Sequence, residues 1–79
     1  MNREEIIEKL TSIFRSVFKD ETILLEEELT ADDIETWDSL THMSMITEVE
    51  KQFGIKFKLR ELNKLKKVGD LINIIESRV

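Results

Sequence analysis

No cysteine occurs in the chain, which excludes a disulfide framework, a thiolate metal site and a thiol nucleophile. Any thiol chemistry must therefore arrive on an attached group or with a partner. Proline and tyrosine are also absent, and the only glycines are Gly54 and Gly69. No glycine-rich loop is available to cradle a phosphate or to frame an oxyanion hole. The single histidine, His42, would have to serve Ser39 three positions earlier on the same stretch for any Ser-His-Asp arrangement, so no catalytic set is assigned. The acids lack the spacing of a calcium loop, and no metal ligands are assigned. There is no apolar run long enough to span a membrane, and the first residues enter an amphipathic pattern rather than a signal peptide. A cytoplasmic location is the expectation.

What remains is 79 residues, read as a single domain over 1–79 that is too small for an enzyme cleft with a full catalytic complement. The net charge of -5 is unevenly spread. Residues 20–50 contain eleven acids and no Lys or Arg, whereas 51–79 contain eight Lys or Arg against three acids. The anionic middle argues against nucleic acid and favours partner proteins with basic docking patches. No large apolar stripe is left over, so a monomer is expected.

Ile6, Ile7, Leu10, Ile13, Phe14 and Val17 recur at helical spacing, and Asn2 with Glu5 forms a capping-box pattern at their head. Glu5 and Lys9 are placed to pair along that helix. About twenty residues follow without a period, a length that is usually functional or disordered. Leu24, Leu25, Leu29 and Ile34 suggest that the segment is pinned to the core, and Thr30-Ala31-Asp32-Asp33 reads as one capped turn. A second helix starts near Asp38 or Ser39 and runs to about Phe53, with Leu40, Met43, Ile46, Val49 and Phe53 as its apolar stripe and Met45 beside it. Gly54 stops it. Ile55-Lys56-Phe57 is extended, Leu59, Leu62 and Leu65 mark a short third helix, and Val68, Leu71, Ile72 and Ile75 a last one. The fold class is all-α: a four-helix bundle with three longer helices, one short helix and a long loop between the first two.

The stretch Trp37-Asp38-Ser39-Leu40 places a serine at the head of the most regular helix. Taken alone it describes an ordinary N-cap. In its setting it resembles the acyl carrier proteins and related carrier domains, whose hallmark is Asp-Ser-Leu at the start of the second of four helices. Asp38-Ser39-Leu40 matches that hallmark. Phe53-Gly54-Ile55 and Val68-Gly69-Asp70-Leu71 extend the likeness along essentially the whole chain. The resemblance implies a non-catalytic carrier, with 4'-phosphopantetheine from coenzyme A attached to Ser39 by a phosphopantetheinyl transferase. It also implies cargo held as a thioester for the acyl-loading and acyl-processing enzymes of fatty acid, polyketide or specialised lipid synthesis. An aminoacyl or peptidyl carrier loaded by an adenylating enzyme, and an unmodified structural subunit, are the alternatives. Asp38, Leu40, Met43 and Glu48 are the expected partner-recognition residues. A helix head favours an attached phosphate, but Asp38 opposes it locally, so the phosphate is expected to stay solvated.

Some features depart from the fatty-acid-type pattern. Trp37 stands where a small residue is common and is read as a core anchor. Thr41, Ser44 and Thr47 are neutral, which moves the electrostatic handle to the loop acids Glu26, Glu27, Glu28, Asp32, Asp33 and Glu35. His42 is expected on the surface. Met43 and Met45 are candidate walls of an acyl cavity. Lys66 and Lys67 precede the last helix, where a cation opposes the dipole.

Overall fold

A computed structural model describes all 79 residues. Four helices are formed: α1 (Arg3–Val17), α2 (Ser39–Phe53), α3 (Leu59–Asn63) and α4 (Val68–Arg78), with a single 3-10 turn, Ala31–Asp33, in the long first connection. The expected class, helix order and long loop are all present.

The capping box at the head of α1 is complete. The Glu5 N–H donates to Asn2 Oδ1 at 2.9 Å, and the Asn2 N–H donates to Glu5 Oε1 at 3.3 Å. Ile6, Leu10, Ile13 and Phe14 form the buried face of α1, which packs against both α2 and α4. Lys9 does not pair with Glu5. Its ammonium reaches across to the Gln52 carbonyl at 3.1 Å and lies over the Phe53 ring, where the cation meets the negative end of α2.

No glycine ends α1. Lys19 adopts the left-handed conformation at φ 53°, and the Asp20 N–H bonds back to the Arg15 carbonyl, closing a Schellman-type stop. α2 ends at Gly54, φ 67°, as its sequence suggests. Glu50 braces the next segment, its carboxylate accepting from the Phe57 N–H at 2.8 Å. Ile55 and Phe57 then pack against the core.

The long loop is pinned by Ile23 and Ile34, both buried, with Leu25 and Leu29 half-buried, while Leu24 points outward at 68 % exposure. Its second attachment is to α4. The Val68 N–H donates to the Leu29 carbonyl and the Gly69 N–H to the Glu27 carbonyl, both at 2.9 Å. These loop carbonyls satisfy two of the free donors at the helix head, of which the Gly69 N–H is one that a Ser or Thr cap would otherwise serve. Asp70 accepts from the Lys66 and Lys67 N–H groups, so the cations at this helix head are offset by its own first-turn acid.

Candidate functional site

The site is built by the end of the loop and the start of α2. Thr36 Oγ1 donates to the Phe18 carbonyl at 2.8 Å, fastening the loop to the end of α1. Trp37 packs edge-on against Phe14 at 5.4 Å and tilted against Phe18 at 5.1 Å, the core anchor its sequence position suggested. The next residue, Asp38, is extended and caps α2. Its carboxylate accepts from the Leu40 N–H at 3.0 Å and the Thr41 N–H at 2.9 Å. Thr41 Oγ1 answers by accepting from the Asp38 N–H at 2.8 Å and donating to the Thr36 carbonyl at 2.7 Å. Hydrogen bonds from Thr41, backbone first, hold the Asp38 carboxyl below the usual carboxylate range.

Ser39 is therefore the first helical residue and not the cap. It is exposed, and the cap is closed by its neighbours without its hydroxyl. Thr41 is the contributor that sequence reading missed. The usual capping-box signature ends in Glu or Gln, and here a threonine takes that place.

Leu40 is 81 % exposed and Met43 51 % exposed, which corrects the assignment of both to the apolar stripe of α2. The buried face is Met45, Ile46 and Val49, flanked by half-buried His42 and Phe53. Ile46, Val49 and Phe53 fit either stripe, and the polarity of His42 hid the right one. Leu40 and Met43 instead form an uncovered apolar patch beside Ser39. Glu48 lies further along α2, half-buried, its carboxylate accepting from Gln52 Nε2 at 2.9 Å.

His42 is not the plain surface residue expected. Trp37 Nε1 donates to His42 Nδ1 at 3.0 Å, the two rings stack at 6.0 Å, and burial pushes the imidazole below its usual value. With Nδ1 occupied by the indole, that nitrogen cannot serve Ser39 as a base.

Two hollows meet at this pair. An open one beside Ser39 is walled by Ala31, Trp37, Asp38, His42 and Met43. An inner cavity of about 80 Å³ shares Ala31, Trp37 and His42 and reaches Met45, Leu65 and Leu71. Of the two methionines only Met45 lines the inner cavity. The loop acids are partly consumed within the fold: Glu27 pairs with Arg3 at 2.6 Å, Glu28 with Lys67 at 3.0 Å, and Asp33 accepts from the Thr30 N–H. Glu26, Asp32 and Glu35 remain exposed.

The geometry presents one hydroxyl at a helix head, with no base behind it and no metal-binding cluster. Residues 8–75 match the family model described as the phosphopantetheine attachment site. The chain belongs to this acyl carrier protein family. It is 34% identical to the acyl carrier protein of Thermotoga maritima, over 99% of this chain and 96% of that protein. It is 32% identical to that of Thermosynechococcus vestitus, over 100% and 98%. Its fold matches the solution NMR structure of the holo acyl carrier protein of Geobacter metallireducens with a TM-score of 0.87 and 49% identity, covering 91% of this chain and 83% of that one. This carrier is a non-catalytic protein whose cofactor is covalent 4'-phosphopantetheine. No helix is long and apolar enough to cross a membrane.

Proposed function

We propose that Ser39 carries the phosphopantetheine arm and that the carrier presents acyl cargo, as a thioester, to enzymes of fatty acid, polyketide or specialised lipid synthesis. The observation that carries this reading is the exposure of Ser39 at the head of α2, outside a cap completed by Asp38 and Thr41. Attachment forms a P–O bond to Ser39 Oγ at the β-phosphorus of coenzyme A. It breaks the pyrophosphate P–O bond, releases adenosine 3',5'-bisphosphate and passes the serine proton to a base of the transferase. The arm, once bound, supplies a thiol that this cysteine-free chain lacks. Tethering then replaces bulk concentration of cargo by effective concentration at each partner.

Asp38, Leu40 and Met43 surround Ser39 and offer partners a carboxylate beside an apolar patch. Glu48 lies farther down α2, at the edge of that surface. Because Thr41, Ser44 and Thr47 are neutral, docking rests less on charge along α2 than on this patch and on Glu26, Asp32 and Glu35 in the loop. The carrier therefore serves a dedicated set of enzymes. Incubation with coenzyme A and a broad-range transferase is expected to add one phosphopantetheinyl group by intact mass, and Ser39→Ala to stay unmodified. An unmodified wild-type chain under conditions that load a known carrier defeats the proposal. Loading by a housekeeping ketoacyl synthase at the rate of its own carrier defeats the dedicated role alone.

A further inference from the structure

The Trp37–His42 pair fixes the chemistry of one nitrogen beside Ser39. An indole Nε1–H is a donor only, so His42 Nδ1 must accept, and the neutral ring then carries its proton on Nε2. Ser39 and His42 are three apart on α2, which sets their Cβ atoms about 5–6 Å apart on one face. Both line the open hollow. The other polar groups facing this space are already committed or of the wrong sign. The Asp38 carboxylate is an anion engaged with the Leu40 and Thr41 N–H groups. From the link before α4, Lys66 and Lys67 line the inner cavity on the other side of His42, and the Lys67 ammonium is bound to Glu28. Two acids attend that link: Glu28 on the Lys67 ammonium, and Asp70, whose carboxylate accepts from the Lys66 and Lys67 N–H groups.

Building on the proposed attachment at Ser39, we infer that His42 is a positioning residue for the arm, its Nε2–H donating to a phosphodiester oxygen on Ser39. Trp37 holds the imidazole in the donor tautomer from behind, and its packing on Phe14 and Phe18 keeps the pair in place. The phosphate is then not left wholly to solvent, as the repulsion from Asp38 alone would suggest. It is steered to the Trp37 side of the helix head, where the open hollow shares Ala31, Trp37 and His42 with the inner cavity. The rest of the arm stays free to swing.

Imidazole 15N spectra and 31P spectra of the unmodified and holo proteins, recorded across pH, test this. In both forms the Nε2–H tautomer is expected. In the holo form His42 should titrate at higher pH than in the unmodified chain, because a neighbouring anion favours the imidazolium. The 31P resonance should show the same inflection. His42→Gln, whose amide can still donate from a similar place, should lose the inflection and keep a 31P shift near that of wild type. His42→Ala should lose both. Trp37→Phe, which removes the donor to Nδ1, should give a mixture of tautomers. A holo protein in which His42 titrates as in the unmodified chain, and in which 31P ignores that titration, overturns the inference and leaves the attachment at Ser39 standing. Absence of an added phosphopantetheinyl mass before any spectrum is recorded overturns both.

Discussion

At Ser39 the freedom of the hydroxyl depends on its neighbours. Asp38 takes the capping role, Thr41 locks Asp38, and the serine between them has no structural duty. The sequence made Asp38-Ser39-Leu40 legible as a motif but left open which residue caps. Thr41 and His42 were harder to read, because a threonine at N3 and a histidine on a helix suggest solvent. Each has instead been recruited by a side chain or carbonyl of the loop, at separations a periodicity analysis does not see. His42 carries a pH consequence in the unmodified chain. Its folded value lies below the ordinary 6.5, so its contribution to stability is fully present above 6.5 and is lost as pH falls through the lower folded value. It is the only histidine, which isolates the effect. The urea midpoint should fall between about pH 7.5 and pH 5.5, and His42→Gln should flatten that fall. An equal slope in both proteins would mean that burial of the imidazole does not couple to stability.

Among the elements, α1 and α4 were legible from their apolar spacing, and α2 from its extent, though not from the face it buries. The stops differ in how much they reveal. Gly54 announces the end of α2, whereas α1 ends on a left-handed lysine that no composition signal marks. That conformation costs an L-residue about 1–2 kcal/mol, of which glycine forfeits part to chain entropy. Lys19→Gly should therefore stabilise by about 0.5–1 kcal/mol in chemical denaturation. The head of α4 shows the opposite case. A Cβ at Gly69 would stand 3.1 Å from the Glu27 carbonyl oxygen and 3.2 Å from the Glu27 Cβ. That carbonyl is held by the Gly69 N–H, and Leu29 nearby by the Val68 N–H, so the loop yields the few tenths of an ångström needed only by stretching these bonds. Gly69→Ala should destabilise by about 1 kcal/mol in spite of its better helix propensity. Amide exchange should accelerate at residues 68 and 69. Stabilisation instead would show that the loop yields freely.

Over the whole molecule, the core consists of apolar side chains alone, and no polar or charged residue is buried. What distinguishes this chain lies on its surface: a free hydroxyl, an apolar patch at Leu40 and Met43, and a separation of charge between the loop and the α3 region. That separation was visible in the sequence. Its internal use was not, because Glu27 and Glu28 meet Arg3 and Lys67 only once the chain has folded. The exposed surplus on the basic side, Lys56, Lys58, Arg60 and Lys64, makes no ion pair within the fold.

Whether Ser39 holds the arm is most directly read from a proton–phosphorus correlation spectrum of the chain after treatment with coenzyme A and a transferase. The phosphodiester should correlate with the β-protons of Ser39 and with no other serine or threonine. A phosphorus signal joined to a different hydroxyl, or none at all in a folded sample, would contradict the account.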